Sequence, residues 1–86
     1  MWYLYVLKSN IFERKYIGIT GNINARLSKH NSGSVWSTKA YRPWTLAYTE
    51  EFDTKTGARL RELALKKSGN KRTEVFKKIE ARSSRG

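Results

Sequence analysis

Residues 2–8 alternate aromatic and aliphatic side chains at period two, with Trp2, Leu4 and Val6 on one face and Tyr3, Tyr5 and Leu7 on the other, which predicts a strand. Residues 15–20 read as a second strand, paired with the first as a hairpin through a turn in residues 9–14. Thr20, Gly21 and Asn22 then supply turn and cap chemistry for a helix over residues 23–31, ended by Ser32, Gly33 and Ser34. A loop of small, basic and aromatic residues follows over 33–43, closed by Pro43, and residues 44–52 form a third strand. Asp53 and Thr54 can cap a helix over residues 55–67, with Leu60, Leu63 and Ala64 as its expected buried stripe and Ser68 and Gly69 interrupting it. A last helix over residues 71–81 sets Val75, Phe76 and Ile79 on one side, and residues 82–86 make a basic tail expected to fray. The order β-β-α-β-α-α has no internal repeat and no second domain. An α+β (α/β) architecture follows, a small sheet covered by helices, with residues 1–81 as one domain.

The chain has 86 residues, enough to fold alone but able to bury only about 60% of the surface its unfolded form exposes. With no cysteine it has no disulfide framework, thiolate metal site or thiol nucleophile, and a reducing cytoplasm is the expected location. Its apolar runs fall far short of the roughly 20 residues that span a bilayer, and no cleaved signal is expected. Eighteen Lys and Arg against seven Asp and Glu give a net charge of +11. That excess attracts polyanions and favours phosphate contacts through counterion release, so nucleic acid is the expected partner. A membrane surface is disfavoured because the cations are spread along the chain instead of lining one helix face.

Several side chains carry chemistry beyond charge. On the first helix, Ile23, Leu27 and His30 recur at i, i+4 and i+7, and Arg26 shares their side. A guanidinium there is either snorkelling at the edge of the sheet or poised for a phosphate. His30, the only histidine, is either a satisfied edge residue or a proton carrier one turn from Arg26. Tyr5 and Tyr16 fall on adjacent strands, and Gly18 lies on the same face as Tyr16, where its missing side chain would leave room for a ligand backbone. Tyrosine and glycine also suit half-buried strands and bulges on structural grounds alone. Glu62 lies among Arg59, Arg61, Lys66 and Lys67, off the expected apolar stripe, as a solvated partner of Lys66 or as a single carboxylate for magnesium. Lys8, Lys15, Lys39 and Arg42 are candidate phosphate contacts. The chain has no Gly-rich phosphate loop with its lysine, no zinc-ligand spacing and no usual nucleophile triad.

Tyr3-Leu4-Tyr5, then Tyr16-Ile17-Gly18 eleven positions after Tyr5, then Arg26, His30 and Glu62, resembles the GIY-YIG nuclease superfamily. The likeness is greatest to small single-domain bacterial members related to the N-terminal nuclease domain of the repair excinuclease. It spans roughly residues 2–80 and includes His30-Asn31-Ser32-Gly33 and Arg42-Pro43-Trp44. Tyr3 stands where the first motif has glycine and Leu4 is its central residue; Asn70 is a candidate for a polar residue that many members carry near the end of the domain. The resemblance implies a central three-stranded antiparallel sheet flanked by about three helices. It further implies that Tyr5 activates the attacking water, that Tyr16 orients water and phosphate, and that Arg26 stabilises charge on the scissile phosphate. His30 would support Tyr5 or assist proton transfer, and Glu62 would hold one Mg²⁺ or Mn²⁺ ion.

These readings converge on a metal-dependent endonuclease hydrolysing phosphodiester bonds in DNA, in repair or in processing of branched or damaged structures, with RNA left open and a protein partner for targeting. The alternative is a non-catalytic nucleic-acid-binding module on the same scaffold, using Trp36 and Tyr41 for base stacking. A third reading is a basic ribonucleoprotein component.

Overall fold

A strand that is apolar on both faces has to be covered on both, and the first strand takes that central place. The computed structural model describes residues 1–83. Strands β1 (Trp2–Ser9), β2 (Lys15–Thr20) and β3 (Trp44–Phe52) form one sheet in the order β2-β1-β3. Both pairings are antiparallel, with Tyr5 opposite Gly18 on β2 and opposite Thr49 on β3. The β1–β3 register shifts between Val6 and Leu7. The helices are α1 (Ile23–Asn31), α2 (Lys55–Lys67) and α3 (Gly69–Ser83). A single 3-10 turn, Lys39–Tyr41, lies inside the segment expected to be loop. The expected α+β architecture and element order are therefore present, and α3 is longer than expected at both ends. The part of the expected tail at 84–86 lies outside the described residues.

The two faces of β1 seed two cores. Leu4 and Val6 pack with Ile17, Leu65, Val75 and Ile79 beneath α2 and α3. Tyr5 and Leu7 pack with Trp44 on the opposite face, against Ile23 and Leu27 of α1. Caps fall where short polar side chains precede α1 and α2: Asn22 accepts from the Ala25 backbone N–H at 3.0 Å and Thr54 from that of Gly57 at 3.1 Å. Asn31, the last residue of α1, ties that helix to the start of β3, accepting from the Trp44 N–H at 2.6 Å and donating to the Trp44 carbonyl at 3.0 Å.

The buried face of α2 differs from the expected one. Ala58, Glu62 and Leu65 turn inward, while Leu60 is 62% exposed and Leu63 is exposed as well. The inward set has the same i, i+4, i+7 spacing as any helical stripe, but its middle member is a carboxylate. A stripe drawn through apolar residues alone is thus rotated away from the true one. Among the described residues, no helix is long and apolar enough to cross a membrane.

Candidate active site

The site grows from the β1–β2 pairing. Because Tyr5 stands opposite Gly18, its phenol lies across the strand into the space a side chain there would fill. A Cβ on Gly18 would come within 2.7 Å of the Tyr5 hydroxyl and 3.0 Å of the Tyr16 ring. The gap expected to admit a ligand backbone is therefore taken by Tyr5 itself, and Gly18 serves to seat the phenol. Tyr16 leans over the same spot, its ring centre 6.2 Å from that of Tyr5 and 4.8 Å from that of His30.

Helix α1 supplies the groups that meet this phenol. Arg26 Nε donates to the Tyr5 hydroxyl oxygen at 3.2 Å. Tyr5 Oη and His30 Nε2 are 3.0 Å apart, and His30 Nδ1 lies 2.8 Å from Thr38 Oγ1. Since Arg26 already donates to Tyr5, the phenol proton is left for His30 Nε2, which assigns the imidazole proton to Nδ1 and points it at Thr38. The Thr38 hydroxyl then donates to the Val35 carbonyl at 3.4 Å. One directed chain runs from guanidinium through phenol and imidazole to hydroxyl.

Burial decides which of these groups meets solvent. His30 is wholly enclosed and Tyr5 is only 2% exposed, whereas Arg26 and Tyr16 are half-buried and form the outer row. His30 is thus not an edge residue. Burial, with the nearby Arg26 charge adding to it, pulls its pKa down to about 4, so the imidazole is neutral at neutral pH. Burial raises the Tyr5 phenol above its usual value; the Arg26 hydrogen bond opposes that shift, while the Tyr16 and Glu62 charges reinforce it. The Tyr5 hydrogen bond in turn stabilises the Arg26 cation against its own desolvation. Tyr16, through a hydrogen bond and its charge, adds to this stabilisation.

Glu62 stands apart. It comes from α2, which covers the face of the sheet opposite the one that carries Tyr5 and packs on α1. Its carboxylate is 5% exposed as a residue and accepts from Arg59 NH1 and, at 3.0 Å, from Lys66 Nζ. Burial opposes its ionisation, but the Lys66 and Arg59 hydrogen bonds outweigh burial and hold the carboxyl below its usual range. Its link to the phenol is electrostatic. Among the described residues no three His, Asp or Glu side chains cluster as metal ligands. A lone, ionised, hard oxygen donor still suits magnesium or manganese, which keep several waters and take phosphate oxygens. The Arg59 and Lys66 side chains are about half exposed.

The other expected phosphate contacts are dispersed. Lys15 lies over the Phe76 ring at 4.9 Å, Lys39 over the Trp36 ring at 5.0 Å, and Arg42 Nε donates to the Lys39 carbonyl at 2.8 Å. One buried participant escapes sequence reasoning. Thr38 holds the far side of His30, and its own carbonyl is fixed by Trp44 Nε1 at 2.9 Å; it sits in no periodic pattern. Asn31, exposed and part of the His30-Asn31-Ser32-Gly33 stretch, locks the end of the His30 helix.

A hairpin that seats two phenols, with a helix-borne guanidinium and imidazole closing on them, defines the GIY-YIG class of catalytic domain, and the GIY-YIG catalytic domain model matches residues 1–77. The chain belongs to that family, whose members are generally endonucleases dependent on a divalent metal. It is similar to a UPF0213 protein of Staphylococcus haemolyticus, 37% identical over 93% of this chain and 95% of the relative. A UPF0213 protein of Syntrophus aciditrophicus is 39% identical over 76% of each chain. The solution structure of a UPF0213 protein from Bacillus halodurans superposes with a TM-score of 0.54 at 27% identity, covering 92% of this chain and 85% of that one.

Proposed function

We infer that this protein is a metal-dependent endonuclease that hydrolyses phosphodiester bonds in DNA, in repair or processing of DNA structures in the cytoplasm. The observation that carries this reading is the Arg26–Tyr5–His30–Thr38 chain. It places a phenol between a cation that faces solvent and a neutral, buried proton acceptor.

A phosphodiester meets the outer row first, with Arg26 and Tyr16 binding its non-bridging oxygens. Water attacks phosphorus and passes a proton to Tyr5 Oη as the Tyr5 proton moves to His30 Nε2; the bond from phosphorus to the leaving oxygen breaks. Arg26 faces the charge that grows on the phosphate. The relay avoids a free phenolate, which burial makes costly. Binding an anion at Arg26 also offsets one of the two influences that make His30 a weak base. Thr38 accepts from Nδ1 and keeps Nε2 turned to Tyr5. A divalent ion held by Glu62 would supply positive charge for the departing oxygen.

A purely binding scaffold has one observation in its favour, since Arg59 and Lys66 already satisfy both Glu62 oxygens. Glu62→Ala separates the two readings. Incubated with nicked, branched and single-stranded DNA in Mg²⁺ or Mn²⁺, the variant should lose cleavage by about 10²-fold or more, in the range expected for a removed electrostatic group. A mere binder would show no cleavage in either form and tighter DNA affinity once the carboxylate is gone.

A further inference from the structure

Beside the candidate reaction centre lies a groove of ≈420 Å³ between β2 and the two helices of the opposite face, lined by Lys15, Tyr16, Lys66, Arg72 and Phe76, with Glu13 and Ile17 completing it. Three cations face one acid there, and Phe76 and Ile17 give it an apolar side. The cations are held but not neutralised. Lys15 rests on the Phe76 ring, and Arg72 donates to the carbonyls of Leu65 and Lys66 at 3.2 Å, neutral partners that leave its charge uncompensated. Of the three, Lys66 alone meets a carboxylate among the described residues, that of Glu62. Tyr16 lines this groove and also packs on Tyr5 and His30, so the groove and the site share one side chain.

On the reading of the site as a nuclease centre, we propose that this groove is a second phosphate subsite, in which Lys15, Lys66 and Arg72 hold a neighbouring phosphate of the strand whose scissile phosphate lies against Arg26 and Tyr16. The strand crosses Tyr16 from one face of the sheet toward the other, around the β2 edge. Phosphate is the ligand that fits, because lysine ammonium groups and an arginine fork beside an apolar wall read backbone charge rather than base identity. Sequence choice is not expected from this subsite.

The test is binding of a fluorescently labelled single-stranded DNA oligonucleotide, measured in EDTA against salt concentration. Lys15→Met keeps the methylene stem over Phe76 and removes the charge, and Lys66→Met does the same on α2. Each should reduce the slope of log affinity against log salt by about 0.7, roughly a fivefold loss near 0.1 M salt, as for one lost single-strand phosphate contact. Lys77→Met, at an exposed position of α3 outside the groove, should leave the slope unchanged. If Lys15→Met and Lys66→Met both match Lys77→Met, the subsite does not exist. Because no cleavage is read, an inactive protein that shows the predicted slopes retains the subsite and loses only the hydrolytic reading.

Discussion

Tyr5 lies between a guanidinium that stabilises its anion and an enclosed imidazole that accepts its proton, and burial keeps both phenol and imidazole uncharged in the free protein. Stability depends on pH as a result. The folded His30 titrates at about 4 against a usual 6.5, so between those values the unfolded chain binds a proton that the folded chain refuses. Its contribution to stability is complete above pH 6.5 and is lost as pH falls through that window. Glu50 and Glu62, whose carboxyls are held below their usual 4.5, add their own loss only beneath that value. The melting temperature should therefore fall already between pH 6.5 and 4.5, and His30→Gln should flatten the decline; a wild-type curve flat over that interval would contradict the buried neutral imidazole. The phenols, Arg26 and His30 were legible because strand alternation and helical spacing place them. Thr38 was not, since its role arises only when the loop folds back over His30.

At the scale of elements, α2 shows how an inward-turned carboxylate hides a helix's phase. Periodicity locates the helix with its bounds and its Thr54 cap, but Leu60 and Leu63 draw the apolar face to the wrong side. With Glu62 turned inward beside Ala58 and Leu65, the helix gives up leucine burial to position an ionised group. Leu65→Ala should cost about 2–5 kcal/mol in chemical denaturation, the range for truncating a buried leucine, whereas Leu60→Lys should stay within about 0.5 kcal/mol. The reverse order would restore the stripe drawn from apolar residues. The strands and α3 were easier to place, because β1 is apolar on both faces and α3 keeps Val75 and Ile79 on its covered side. The β1–β2 hairpin was legible too, whereas the placement of β3 beside β1 and the β1–β3 register shift depend on long-range contacts that local pattern does not encode.

Across the whole molecule, a central strand divides the labour. One face of the sheet builds the phenol, guanidinium and imidazole, the other brings Glu62 and the cationic groove, and the net charge of +11 favours polyanions near the surface as a whole. The family and its sheet were legible from ordered motifs, while the two-sided arrangement of the site became visible only in three dimensions. The proposed hydrolysis depends on the Tyr5 hydroxyl more than on any other atom. Cleavage of DNA in Mn²⁺ by wild type and by Tyr5→Phe, alongside their DNA affinities, isolates that atom. The wild type should cleave and the variant should lose about 10²–10⁴-fold, with affinity little changed because Arg26 and the groove remain. Undiminished cleavage by Tyr5→Phe, or no cleavage by a wild-type protein that binds DNA, would contradict the relay.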